Sequence, residues 1–152
     1  MRTYKFLTAA LCSALFASGV APSANAETFV VIVNAENSYS QDGDVAKQQV
    51  RRLFLKEQSS WPGNIEATPL SREAGAPAEV AFLANVLGMT QAELESHWLH
   101  LKQTQGDTPP RAVGSTRILS RLISKTPGAF GVVLKSATDS MEGVRVLFEF
   151  DG

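Results

Sequence analysis

The sequence is poor in the residues that carry most covalent and metal chemistry. It contains one cysteine, Cys12, and two histidines. A single cysteine excludes an internal disulfide, so the fold must rely on packing. The motifs GxSxG, HExxH, GxGxxG and the P-loop are all absent from the sequence. We therefore predict no enzyme, no catalytic residue, no metal and no cofactor.

The two histidines are the only candidates for a metal site, and they leave two interpretations open. His97 and His100 lie three residues apart on a predicted helix and could share one face. They also flank Trp98, a predicted core residue, and no cysteine remains nearby to join them. The surface interpretation is favoured over the metal interpretation.

The chain has no excess of basic charge. Its net charge is −1, which gives no indication of nucleic-acid binding. Two predicted helices nevertheless carry clusters of basic residues, which are Lys47, Arg51, Arg52 and Lys56 on the first and Arg117, Arg121 and Lys125 on a later one. Each cluster is either a solvated helix face or a docking surface for an acidic partner.

The one long apolar run is at the start of the chain and is typical of a secretory signal peptide. Arg2 and Lys5 precede the run "FLTAALCSALFASGV", and "ANA" at residues 24–26 fits a cleavage site. An uncleaved anchor would need roughly 20 apolar residues. We predict cleavage after Ala26, export to the periplasm, no membrane insertion afterwards, and one domain over residues 27–152.

Four apolar segments predict strands and alternate with amphipathic segments that predict helices. The strands are predicted at residues 28–33, 65–70, 129–134 and 144–150. The helices are predicted at 45–56, 77–87, after the capping box that starts at Thr90, and from Ser115 to Lys125. Asp44 is the predicted cap of the first helix, and Val80, Leu83, Ala84 and Leu87 are the predicted inner face of the second. This order predicts an α/β fold with a mostly parallel or mixed sheet of about four to five strands flanked by helices.

Two stretches resemble the phosphate-binding proteins of ABC transporters. Residues 32–64 are similar to the family pattern "VVNPxNPVxxLTxxQLxxIFxGKxxxWxDG", and "KTPGAFGVV" at residues 125–133 is similar to "xTPGAIGYV". The matching positions in the first stretch are Val33, Asn34, Asn37, Gln49, Leu53, Phe54 and Trp61. Because full-length members have two lobes with the ligand between them, the resemblance implies a single lobe of a type II periplasmic binding protein.

The resemblance also implies where an anion would bind. In the family an arginine is followed by a Ser-Gly-Thr turn at a helix start, and here Arg72 matches the arginine. Ala76, Pro77 and Ala78 replace the Ser-Gly-Thr, so two hydroxyls and one N–H are lost. The remaining candidates for anion binding are Arg72, the N–H groups of Gly75 and Ala76, and Ser115. Alternatively, Arg72 pairs with Glu79 on the surface, and Ser115 only caps its helix.

Two hypotheses of function follow. The first is a periplasmic substrate-binding-protein-like domain that binds phosphate or another small oxyanion in transport or sensing. The second is a periplasmic interaction module that kept the fold and lost the ligand. In either case an envelope protein or a second copy of the chain could supply the missing half.

Overall fold

A computed structural model of the chain describes residues 26–152. The predicted signal peptide, apart from Ala26, lies outside the described residues. The strands are β1 (Thr28–Asn34), β2 (Ser60–Trp61), β3 (Ile65–Glu66), β4 (Thr68–Ser71), β5 (Arg111–Ala112), β6 (Ala129–Leu134) and β7 (Val144–Asp151). The α-helices are α1 (Gly43–Phe54), α2 (Pro77–Phe82), α3 (Gln91–Gln105) and α4 (Thr116–Lys125), with a π-helical segment at Leu83–Leu87 and a 3-10 helix at Lys135–Ser140. Within these residues, no helix has the length and apolar character needed to cross a bilayer.

Five strands form one mixed sheet in the order β5-β4-β6-β1-β7. The β-branched strand β1 runs antiparallel to both neighbours, with Val31 opposite Val132 of β6 and Phe148 of β7. Strand β4 runs parallel to β5 and β6. The predicted α/β class and mixed sheet are therefore confirmed.

Helices cover both faces of the sheet. Strand β1 can be buried between them because its side chains are apolar on both faces. Phe29, Val31 and Val33 pack into a large core with residues of α1, α2 and α3. Val30 and Ile32 face the opposite side, where they form a smaller core with Leu119 and Ile123 of α4. The chain is thus a three-layer α/β sandwich.

The "TPGAFG" segment joins the β2–β3 hairpin to the main sheet. The Trp61 indole Nε1 donates a hydrogen bond to the carbonyl oxygen of Gly128 at 3.0 Å, and the ring packs edge-on against Phe130 with centroids 5.4 Å apart. The N–H of Thr68 donates to the same carbonyl at 3.0 Å. The carbonyl group of Gly128 is therefore a shared acceptor for two separate segments.

The single strand predicted at residues 65–70 is wrong, because the structure has two separate strands there, β3 and β4. Residues Ile65–Glu66 pair with Ser60–Trp61 in a hairpin, whereas Thr68–Ser71 enters the main sheet. Strands β2 and β5 were not predicted, because two residues are too few to show an alternating pattern.

Two predicted helix features also differ from the structure. The first helix begins at Gly43 with Asp42 at the cap position, so Asp44 lies in the first turn and is not the cap. In the second helix Val80 is 54% exposed and Ala84 is also exposed, while Glu79 is only 4% exposed. The buried face follows Phe82, which packs edge-on against Phe54 at 5.0 Å.

The capping box of α3 is confirmed. The Glu93 N–H donates to Thr90 Oγ1 at 3.2 Å, and the Thr90 N–H donates to Glu93 Oε2 at 2.7 Å. The Thr90 N–H, together with the Thr90 hydroxyl that donates to Glu93 Oε2 at 3.0 Å, lowers the pKa of the Glu93 carboxyl. The reciprocal pair satisfies two N–H groups that the helix itself cannot pair.

Candidate functional site

The carboxyl ends of the parallel strands β4, β5 and β6 meet at one edge of the sheet, which is where α/β proteins commonly bind ligands. Arg72 follows β4, Ser115 and Thr116 come soon after β5, and Leu134 ends β6. Arg72, Ala76, Ala78 and Thr116 line a pocket of about 220 Å³ there. We call it the Arg72 pocket.

The guanidinium of Arg72 is held in place by two groups from the segment that joins β5 to the first turn of α4. Its Nη2 donates to the carbonyl oxygen of Gly114 at 2.7 Å and to Thr116 Oγ1 at 3.2 Å. Its Nη1 is buried and has no hydrogen-bond partner among residues 26–152. One edge of the guanidinium is therefore fixed, and the other edge retains donors for a further acceptor.

Two carboxylates lie close to this cation. The Arg72 N–H donates to Glu79 Oε2 at 2.9 Å. Burial raises the pKa of Glu79, and the hydrogen bond from the Arg72 N–H and the guanidinium charge oppose the rise. Burial lowers the pKa of Arg72, against the raising effect of Glu73 and Glu79. Glu79 is thus a buried neighbour of Arg72 that bonds to its backbone, so the alternative of a surface ion pair between the two side chains does not hold.

The turn between β4 and α2 uses one of the predicted donors internally. Gly75 has φ +82°, a left-handed conformation that glycine adopts without a steric penalty. The Ala76 N–H donates to the carbonyl oxygen of Glu73 at 3.0 Å and closes the turn. Pro77 then occupies the start of α2, where its missing N–H costs little. The Ala76 N–H can bind an anion only by sharing or leaving this hydrogen bond.

Ser115 is the N-cap of α4. Its Oγ accepts a hydrogen bond from the Ile118 N–H at 3.3 Å. Its neighbour Thr116, which sequence reasoning missed, is the residue that contacts Arg72. The sequence feature that could have indicated Thr116 is its position directly after Ser115, the predicted N-cap of this helix.

The capping role gives a testable effect on stability. Replacing Ser115 with Ala is expected to lower the free energy of unfolding by about 1 kcal/mol, because the Ile118 N–H loses its acceptor. Replacing it with Asp, which is also a good N-cap, is expected to change the free energy by less than about 0.5 kcal/mol. Urea denaturation of both variants measures the difference, and equal losses would contradict the capping role.

The histidines do not lie in the Arg72 pocket. His97 Nε2 is 2.9 Å from the carbonyl oxygen of Leu55, and His100 is exposed. In the described part of the chain, no group of three His, Cys, Asp or Glu side chains is placed to hold a metal ion.

The two basic clusters differ in their surroundings. On α1, Arg51 donates to the carbonyl oxygen of Leu87 at 3.1 Å and pairs with Glu57 at 3.5 Å, so this residue serves the packing of the fold. On α4, Arg117, Arg121 and Lys125 are all exposed, and no carboxylate of residues 26–152 lies within 4.0 Å of them. The basic side chains on α4 are therefore free to contact an acidic partner.

No protein-family model matches the sequence, and no curated protein matches it. Solved structures do match the fold. The ABC-type phosphate transport receptor from Vibrio cholerae aligns with a TM-score of 0.60 at 16% identity, over 80% of this chain and 46% of that chain. A putative phosphate ABC transporter substrate-binding protein with bound phosphate from Clostridium perfringens aligns with a TM-score of 0.58 at 15% identity, over 80% and 44%.

PstS from Borrelia burgdorferi gives a third match, with a TM-score of 0.57 at 16% identity over 80% of this chain and 47% of that one. The alignments span most of this chain but less than half of each solved protein. The chain therefore has the fold of one part of the phosphate ABC transporter substrate-binding proteins.

Proposed function

We propose that this chain is a periplasmic substrate-binding-protein-like domain that binds a small oxyanion, with phosphate as the first candidate, in the Arg72 pocket. One observation carries the proposal, which is that Nη1 of Arg72 is buried without a hydrogen-bond partner among residues 26–152, at the carboxyl ends of the parallel strands. An unpaired buried donor costs about 1–3 kcal/mol, which an anion would recover. The phosphate-binding names of the structural neighbours support the choice of ligand.

The expected affinity is low. The pocket offers donors mainly from Arg72 and Thr116, because Ala76 and Ala78 stand where the family resemblance implies hydroxyls. Glu73 and Glu79 also oppose an incoming anion. A dissociation constant near 1 mM corresponds to about −4 kcal/mol, which is a reasonable sum for one charge-assisted contact and a few weaker ones. Tighter binding would require donors from a partner.

Calorimetry with phosphate and with sulfate tests the proposal. We expect saturable heat at millimolar ligand and a loss of roughly tenfold or more in affinity when Arg72 is replaced with Gln, because the cation is removed. Arg117→Gln is the matched control, since Arg117 is exposed on α4 and outside the pocket lining. No heat from folded protein at millimolar ligand, or equal losses in both variants, would reject anion binding at Arg72.

The second candidate is an interaction module without a small ligand. It is favoured by Arg117, Arg121 and Lys125 on α4, which are exposed and have no ion-pair partner within the described residues 26–152. Pull-down from envelope extract, with Glu in place of Arg117 and Arg121, tests it. Enrichment of an acidic protein by the parent and not by the reversed variant supports this candidate, and identical results for the two versions reject it.

A further inference from the structure

A second and larger cavity lies beside α3. Its volume is about 420 Å³, within the range of about 300–1,000 Å³ that is typical of small-molecule sites. Apolar side chains form most of its wall, among them Phe54, Leu94, Trp98, Leu99, Pro109 and Pro110. We call it the Trp98 cleft. Arg72 is the one residue that lines both this cleft and the Arg72 pocket.

Two residues of the cleft wall, Trp98 and Lys102, carry donor groups that the described part of the chain leaves without a counterpart. The Trp98 side chain is 6% exposed, and its indole Nε1 is buried without a hydrogen-bond partner among residues 26–152. In that same part of the chain, the Lys102 ammonium has no carboxylate within 4.0 Å. An unpartnered buried N–H is uncommon in folded proteins.

One oxygen of each of the two carboxylates in the cleft wall is already engaged. Glu95 Oε1 accepts from Gln91 Nε2 at 2.9 Å, and Glu79 Oε2 accepts from the Arg72 N–H at 2.9 Å. The cleft therefore combines an apolar wall with the unpartnered indole N–H of Trp98 and the ammonium of Lys102, which has no carboxylate partner among residues 26–152.

We propose that the Trp98 cleft binds an amphipathic organic acid, with the apolar body against Leu94, Trp98 and Leu99 and the carboxylate received by the indole N–H and the Lys102 ammonium. An apolar chain in this cleft removes surface from water at roughly 25 cal/mol per Å². The head group supplies the acceptor that the buried indole N–H lacks. This inference goes beyond anion binding at Arg72 and does not depend on it.

The two tryptophans of the chain make a direct test possible. The Trp61 indole donates to Gly128 and is 1% exposed in the core, so it serves as an internal reference. Octanoate is the probe, titrated into the ¹⁵N-labelled full chain below its micelle concentration, and Trp98→Phe assigns the two indole signals. We expect a saturable shift of the Trp98 indole signal while the Trp61 signal stays in place.

A pair of surface variants distinguishes binding in the cleft from nonspecific binding of octanoate to exposed apolar residues. Leu99, at 57% exposure, lines the cleft, whereas Ile118, at 52% exposure, lies on α4 outside it. Leu99→Glu is expected to weaken octanoate binding by about tenfold through loss of apolar contact and like-charge repulsion. Ile118→Glu is expected to change the affinity by less than about twofold, because exposed charges are screened by salt.

An uncharged probe tests the head-group assignment. Octanol has the same apolar body, and we expect it to bind roughly fivefold or more weakly, because the Lys102 contact requires a charge. Four results would overturn the proposal: no saturable shift at Trp98, an equal shift at Trp61, parent-like binding by Leu99→Glu, or equal affinities for octanol and octanoate.

Discussion

Replacing Gly128 with Ala is expected to lower the free energy of unfolding by about 3 kcal/mol or more, the upper range for forced overpacking. A Cβ on this residue would overlap the carbonyl oxygen of Glu66 and lie 2.8 Å from its carbonyl carbon. Both are backbone atoms, so no side-chain rotation relieves the clash. The backbone at Gly128 or at Glu66 must therefore move, and the hydrogen bonds from Trp61 and Thr68 to the Gly128 carbonyl are then strained or lost.

Gly131→Ala is the matched control within the same "TPGAFG" segment. There the new Cβ would lie 3.2 Å from Leu119 Cδ1, the end of a flexible side chain. We expect a change within about 1 kcal/mol, because Ala also regains some of the strand stability that Gly lacks. Urea denaturation followed by circular dichroism measures both variants. A loss at Gly128 no larger than the loss at Gly131 would contradict the proposed backbone contact.

The contrast between these glycines illustrates what the sequence could predict. Strands β1, β6 and β7 were recognised because long apolar or alternating runs have few other outcomes in a folded chain. Strands β2 and β5, with two residues each, exist only through their tertiary partners. The close approach of Gly128 to Glu66 likewise depends on the β2–β3 hairpin, which left no pattern to detect.

The inner face predicted for residues 77–87 is right for Leu83 and Leu87, which are buried, and wrong for Val80 and Ala84, which are exposed. Helical spacing favoured Val80 and Leu83 together, but Phe82 contributes the largest apolar side chain and contacts both Phe54 and Phe150. The π-helical segment after Phe82 rotates the following residues, so one regular period does not describe the whole stretch. Turning Phe82 inward also placed Glu79 in a buried position.

The candidate site remains a prediction, and sequence and structure contribute different parts of it. The family resemblance indicated Arg72, and the structure places it at the carboxyl edge of the sheet. Its partners Gly114 and Thr116 lie more than forty residues further along the chain. Only the pairing of β4 with β5 brings them together, and local sequence contains no trace of that pairing.

Glu79→Gln is expected to change how stability depends on pH. Because burial raises the pKa of Glu79, the folded chain binds more protons than the unfolded chain between the ordinary carboxyl pKa of 4.5 and the raised value. The stability linked to Glu79 is fully present below pH 4.5 and is lost as the pH rises through the folded pKa. Gln does not titrate, so the variant gains stability relative to the parent as the pH rises. Urea denaturation from about pH 4 to pH 8 measures that difference, and a constant difference would contradict it.

The same substitution is expected to strengthen anion binding if the Arg72 pocket is the site. At the upper end of this pH range, where Glu79 is ionised to the greatest extent, removal of its charge is expected to tighten sulfate binding by about tenfold, since like charges repel strongly away from water. Sulfate is the suitable probe because its charge stays constant over this range.

Glu73→Gln is the control. Glu73 is also a charged neighbour of Arg72, but it is exposed, so its removal is expected to tighten binding by only about twofold. Equal effects of the two variants would indicate a diffuse surface attraction, whereas a dominant effect of Glu79 would place the anion beside Arg72, close to the Glu79 carboxylate.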